Sequence, residues 1–297
     1  MASCGFDGNA DMYGIGIRVG FYLQWYSCIL ASWVSREDVP SMRVSNLMFV
    51  SATFLATIIQ SLEGKTRPVE IYISLLLTFG GYLYLVPMFI WRALTGCRPQ
   101  WDPTRYPRVR MGRIFSLLNF GLLLAVSGFQ LWFWIVGIKT LSVGDCPDFG
   151  FLLLKFDFDT RGFVVANIVI HALLLACCLG AVGLMVVRLF GISHEHSEKI
   201  KPNRKFILQA IHTVFNTAVA TAVTIATEKT IQWNGISGVS DISSAGQLIP
   251  LIIGIEMFIR VIYTAWKGED KGSNAIDDSS VAESLTTFPD IAIQELV

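Results

Sequence analysis

Runs of about twenty apolar residues, long enough to cross the hydrocarbon core of a bilayer as helices, alternate along the chain with short polar stretches. The pattern predicts seven such runs: Met12–Val34, Ser45–Leu62, Val69–Trp91, Ile114–Ile138, Phe163–Val187, Phe206–Ile231 and Ala245–Trp266. The expected class is all-α, a polytopic membrane bundle of seven transmembrane helices. Residues 1–11 form a short outer N-terminal segment, 12–266 the transmembrane domain, and 267–297 an acidic tail. The tail has no periodic apolar face and is expected to be disordered. Between the fourth and fifth runs, the alternating stretch "KFDFD" predicts a short hairpin or a segment lying along the membrane interface.

Composition agrees with the pattern. The chain is 53 % hydrophobic and 15 % charged, against about 25 % charged residues in soluble domains. Net charge is zero, but its distribution is uneven. Fifteen of the 23 lysines and arginines fall after runs one, three and five or in the tail. Five fall in the loops after runs two and four, and Lys229 lies near the outer end of run six. The positive-inside rule then predicts an outer N-terminus and a cytosolic C-terminus, in the endoplasmic reticulum or plasma membrane. The first residues lack a basic n-region and carry two acids, so the first run is expected to insert and stay. Of six cysteines, Cys4 and Cys146 fall on the predicted outer side, where they form a candidate disulfide. The expected partners are the bilayer and a lipophilic small molecule. The basic loop after the third run lacks a glycine-rich phosphate cradle, and no nucleic acid is expected.

Candidate chemistry lies in polar groups within or beside the apolar runs. The sixth run carries Gln209, His212, Asn216, Thr224 and Glu228 at helical spacing, which places them on one face. That face is either an interhelical hydrogen-bonding seam or the lining of a pocket. Arg18 follows Asp11 by two turns, so both can face one outward-opening cavity, and His171 lies at a depth similar to Arg18. Glu256 is close to mid-run, where an ionised side chain costs at least ~2.5–3.5 kcal/mol. It is either paired with Arg260 one turn on or neutral and available as a proton donor. Asp11, Glu63, Glu70, Glu228 and Glu256 are the candidate acids. Arg18, His171, His212, Asn216 and Arg260 are the candidate pocket residues. Interior aromatics, among them Tyr22, Trp25, Tyr82, Tyr84, Trp132 and Trp134, are either packing or a π-lined pocket. Metal-dependent chemistry is not expected, because no aspartate-rich motif extends beyond two carboxylates, and no cofactor motif is present.

The stretches "GNADMYGIGIRVGFYLQWYS" and "GQLIPLIIGIEMFIRV" resemble multi-pass membrane proteins of filamentous fungi. In size, span count and embedded acids the chain is also similar to the membrane-bound terpene cyclases of fungal meroterpenoid pathways. That resemblance implies metal-free cyclisation of a lipophilic isoprenoid, begun by a carboxylic acid protonating an epoxide or alkene, in secondary metabolite biosynthesis. No site residue is carried over from it. The alternative is a seven-span receptor or proton-linked transporter for a small molecule.

Overall fold

A computed structural model describes residues 5–64, 66–96, 98–105, 111–141, 146–152, 154–189, 202–242 and 244–269. The protein is mostly helical. Helix α1 (Ala10–Tyr13) leads through a break at Gly14 into α2 (Ile15–Val34), followed by α3 (Val39–Glu63), α4 (Pro68–Gly80) and α5 (Leu85–Leu94). Then come α6 (Arg113–Trp132), a π-helical turn (Phe133–Gly137), α7 (Ile138–Thr140), α8 (Arg161–Leu189), α9 (Pro202–Trp233) and α10 (Ala245–Glu269). Four short strands complete it: β1 (Phe6–Asp7), β2 (Phe149–Leu152), β3 (Leu154–Asp157) and β4 (Ile236–Ser237).

Among the described residues, five helical stretches are long and apolar enough to cross a membrane. They are Val39–Glu63, Ile114–Thr140, Arg161–Gly180, Arg204–Trp233 and Ala245–Lys267. The pair α4 and α5, bent by 53°, makes a sixth if it counts as one span. Only 22 % of the α10 stretch is buried, so large apolar side chains face outward, the reverse of a soluble core and consistent with a multi-pass membrane protein. The first predicted run is not in this set. Helix α2 is diluted by Arg18, Gln24, Ser27 and Ser32, all buried, and lies enclosed by α3, α9 and α10.

The third predicted run, expected to be continuous, breaks after Gly80. The chain crosses 81–84 through i→i−3 bonds, Tyr82 N–H to Phe79 O and Leu83 N–H to Gly80 O. Pro87 lacks the N–H that would bond Leu83. A Cβ on Gly80 would lie 2.6 Å from Val223 Cγ1 and 3.1 Å from a Trp25 ring carbon. Glycine therefore allows α4 to approach both α2 and α9 at the bend.

Helix α4 is buried along its whole length, between α3 and α9, with α6 beside it and α8 packed on α6. On the opposite flank α10 lies along α2. A Cβ on Gly16 would meet Gln247 O at 2.4 Å, and one on Gly20 would meet Pro250 O at 2.6 Å. Small residues that let backbones meet are how helices associate where lipid supplies no hydrophobic drive. At the N-terminal end, β2 and β3 form the expected antiparallel hairpin. It is held to the bundle by Tyr72, whose hydroxyl donates to Phe151 O at 2.9 Å. The Tyr72 ring also packs edge-on against Trp134 and Phe158. β1 pairs in parallel with β4. Beyond Glu269, the expected disordered tail lies outside the described residues.

Candidate functional site

The polar face of α9 runs along α2 as a seam with a cleft in its middle. At one end Gln209 donates to Ser32 O and accepts from Arg36, at 3.1 and 3.0 Å. Thr213 accepts from the Trp33 indole at 2.7 Å, and Thr221 shares a 2.9 Å hydrogen bond with Tyr26. At the far end, Glu228 pairs with Arg18 at 2.6 Å and accepts from Tyr22 at 3.0 Å. Both readings of this face are therefore realised: hydrogen-bonding seam at the ends, pocket between.

The cleft has a volume of about 150 Å³ and is lined by α2, α3, the α4–α5 bend, α6 and α9. Its polar lining is Arg43 and Asn46 from α3, Tyr82 and Tyr84 from the bend, Asn119 from α6, and His212 and Asn216 from α9. Trp25 and Cys28 of α2 supply much of one wall. The bend between α4 and α5 is what admits Tyr82 and Tyr84, since a straight helix would rotate successive side chains past this point. Tyr82 donates to Asn119 Oδ1 at 2.7 Å. Asn216 donates to the His212 carbonyl at 2.8 Å, and His212 packs edge-on with Tyr84 at 6.0 Å. Two buried polar atoms here, the Trp25 indole N–H and Asn46 Oδ1, have no hydrogen-bond partner among the described residues. Among the described residues Arg43 is the single charged residue of the lining, and no Asp or Glu contributes.

Of the five expected pocket residues, His212 and Asn216 line the cleft. Arg18, His171 and Arg260 do not. Arg18 is 3 % exposed and bonded to Glu228 and to Val239 O, not set in a cavity shared with Asp11. His171 is buried on α8 with its ring edge-on to Phe79 at 5.1 Å. Glu256 is neither paired with Arg260 nor turned toward the cleft. Its side chain is exposed on the outer face of α10, and Arg260 binds Asp38 at 2.5 Å instead of Glu256.

Two of the remaining candidate acids, Glu70 and Asp11, are engaged in contacts between elements. Glu70 accepts from Tyr13 OH at 2.8 Å and from the backbone N–H groups of Asn9 and Arg67, so it caps α4 and fastens α1. Asp11 accepts from Ser244 at 2.7 Å, tying α1 to the start of α10. Glu63 is exposed at the end of α3, just before Gly64, whose φ of 67° ends the helix. Of the interior aromatics that sequence left open between packing and pocket, Trp25, Tyr82 and Tyr84 line the cleft and Tyr22, Trp132 and Trp134 do not, while Arg43, Asn46 and Asn119 were missed. Arg43 and Asn46 lie one turn apart in the sequence, the spacing of a shared helical face.

The N-terminal end carries a second polar cluster. Arg67 contacts Asp148 at 3.0 Å, donates to Cys146 O at 3.2 Å and covers the Phe6 ring at 4.5 Å. Asp148 and Arg67 touch, yet Asp148 Oδ1 accepts no aligned hydrogen bond. Burial raises the Asp148 carboxyl above its usual range, and the neighbouring Arg67 offsets only part of this. Cys146 is disulfide-bonded. Its expected partner Cys4 lies outside the described residues, while Cys28, Cys177 and Cys178 are free. Among the described residues no group of three His, Cys, Asp or Glu is placed to hold a metal.

No protein-family model, curated protein or solved structure matches this chain, so function is read from the cleft itself.

Proposed function

We propose that this is a seven-span membrane protein that binds a small ligand bearing an anionic or hydrogen-bond-accepting head in the cleft at Arg43, as a receptor or transporter does. The observation that carries the reading is the character of the lining: one cation, amides, phenols and an indole, with no carboxylate. An unpartnered indole N–H and a guanidinium offer donors to an acceptor-rich head group, and unmade hydrogen bonds in a buried site favour a ligand that completes them. Size points the same way. About 150 Å³ is the volume that encloses a single benzene ring, which suits a head group better than a folded prenyl chain. The cyclase reading needs a carboxylic acid beside the substrate, and Glu70, Glu228 and Asp11 are occupied elsewhere.

Seven spans follow if α2 and the bent α4–α5 pair each cross once. Arg36 follows α2, Arg92 is in the last turn of α5 and Arg204 in the first turn of α9, at the end of the bundle that the basic stretches mark. Cys146, disulfide-bonded, sits at the opposite end. Basic loops facing the cytosol and a disulfide facing an oxidising compartment support the same orientation, with the N-terminus outside.

Trp25 provides a built-in reporter for the test. Purified protein titrated with short-chain carboxylates or phosphate monoesters should show a saturable change in fluorescence that is lost in Trp25→Phe. Arg43→Gln should weaken binding by about tenfold or more, the effect of losing one charge-assisted hydrogen bond. Equal affinity for amines, or binding indifferent to Arg43, would count against the assignment.

A further inference from the structure

The outer face of α10 carries a feature that the cleft does not use. Glu256 is the midpoint of the apolar stretch Ala245–Lys267 and is exposed, with no hydrogen bond or ion pair to any described residue. Around it, Ile252, Ile255, Ile259, Arg260 and Tyr263 line a shallow depression. The inner face of the same helix is committed to α2 by the glycine contacts at Gly16, Gly20 and Gly254. The outer face is consequently the surface that α10 offers to its surroundings.

A carboxyl group at mid-span facing acyl chains is unfavourable whether it is ionised or neutral. A helix that carries one there, outside its own bundle, calls for a polar partner from another chain. The spacing of the face specifies what fits. Ile252, Glu256, Ile259, Tyr263 and Trp266 follow one another by steps of four, three, four and three, the repeat of a knobs-into-holes seam. A single polar residue within such a seam fixes register.

We propose that this face docks onto the same face of a second copy of the chain, as a parallel two-fold pair of α10 helices. The argument is charge complementarity. Two copies inserted in the same direction place equal residues at equal depth. Glu256 of each then lies one helical turn, about 6 Å along the axis, from Arg260 of the other. Packed helices sit ~8–10 Å apart, a gap that glutamate and arginine side chains span together. Two-fold symmetry makes the contact reciprocal, so both carboxylates are neutralised at once. Arg260 already holds Asp38 and remains about half exposed, at 46 %, which leaves guanidinium donors for a second acceptor.

The experiment uses the full-length protein in its native membrane. Ile259→Cys lies on the proposed seam, and Ile207→Cys, equally exposed on α9, serves as the off-face control. Oxidative cross-linking should give a homodimer from Ile259→Cys and none from Ile207→Cys. Adding Glu256→Leu should abolish the Ile259→Cys product while thermal stability of the monomer is kept, because the side chain is exposed and makes no hydrogen bond or ion pair with any described residue. Native mass spectrometry of the otherwise unmodified protein should report a dimer that Glu256→Leu converts to monomer. A monomeric wild type, equal cross-linking at both positions, or an Ile259→Cys adduct with a different protein would each overturn the proposal.

Discussion

Removing either member of the Arg18–Glu228 pair should have unequal effects. Arg18 is 3 % exposed and Glu228 49 %. Glu228→Gln leaves a buried guanidinium with only Val239 O and Tyr22's neighbourhood for support. Stranding a buried charge costs about 3–5 kcal/mol. Arg18→Gln leaves a carboxylate that is half exposed and keeps the Tyr22 hydroxyl as a donor, so the loss should be smaller. Thermal unfolding of both variants in detergent checks the order. Asp148 gives a prediction with the opposite pH sense from a well-paired carboxylate. Its folded-state affinity for protons is raised by burial, so between the ordinary carboxylate range and that raised value the folded state binds more protons than the unfolded one. Stability from this group therefore declines as pH rises through that window. Asp148→Asn should gain on the wild type from acid toward neutral pH in a series of melting curves. A gap that is constant across pH would contradict it.

At the scale of elements, much of the bundle was legible, and what escaped has physical causes. The polar stripe of α9 follows from spacing alone, because steps of three and four fix a face whatever surrounds it. Alternation in KFDFD points to a hairpin or an interfacial segment; it marks part of β3 but not its partner strand Phe149–Leu152. The interruption of the third run was not legible, although Gly80, Gly81 and Pro87 are all visible in the sequence. Hydropathy stays high through a bend, since a bend changes direction without changing composition. The orientation of Glu256 also escaped. Helical period says that Glu256 and Arg260 share a side, but rotation of α10 is set by where Gly16 and Gly20 admit its backbone. These contacts are testable. Gly16→Ala and Gly20→Ala each push a Cβ against backbone, and overpacking of this kind costs about 1–3 kcal/mol. Gly128→Ala on α6, with nothing within 4 Å of the added carbon, should be neutral or mildly stabilising. Similar losses at all three positions would mean that close approach is not what these glycines provide.

For the whole molecule, topology and the state of Cys146 are joined questions. With seven spans, a reporter fused after Val297 should read cytosolic, and one inserted in the hairpin loop should read lumenal or extracellular. Alkylation before and after reduction should show Cys146 blocked until reduction, with mass spectrometry identifying its partner. A cytosolic hairpin would sink both the orientation and the oxidising compartment. The proposed function rests on neither fold class nor span count but on the cleft, whose lining comes from five separate parts of the chain. That dispersion explains why Arg43, Asn46 and Asn119 drew no notice in the sequence: each looks ordinary alone.

The pairing of α2 with α10 has a consequence for how the protein is made. Gly20 and Gly254 touch across the bundle, yet synthesis at ~5–20 residues per second separates them by roughly 10–50 s. During that interval α2 has neither the backbone of α10 nor the carboxylate of Glu228. It must be held at the insertion machinery or in the lipid with Arg18 uncompensated, so biogenesis has a built-in waiting step. Ribosome-arrested chains that end before α9 should leave α2 open to alkylation at Ser27→Cys, and chains that extend past α10 should close it. A helix that carries a buried arginine is thus among the first to emerge and among the last to be housed.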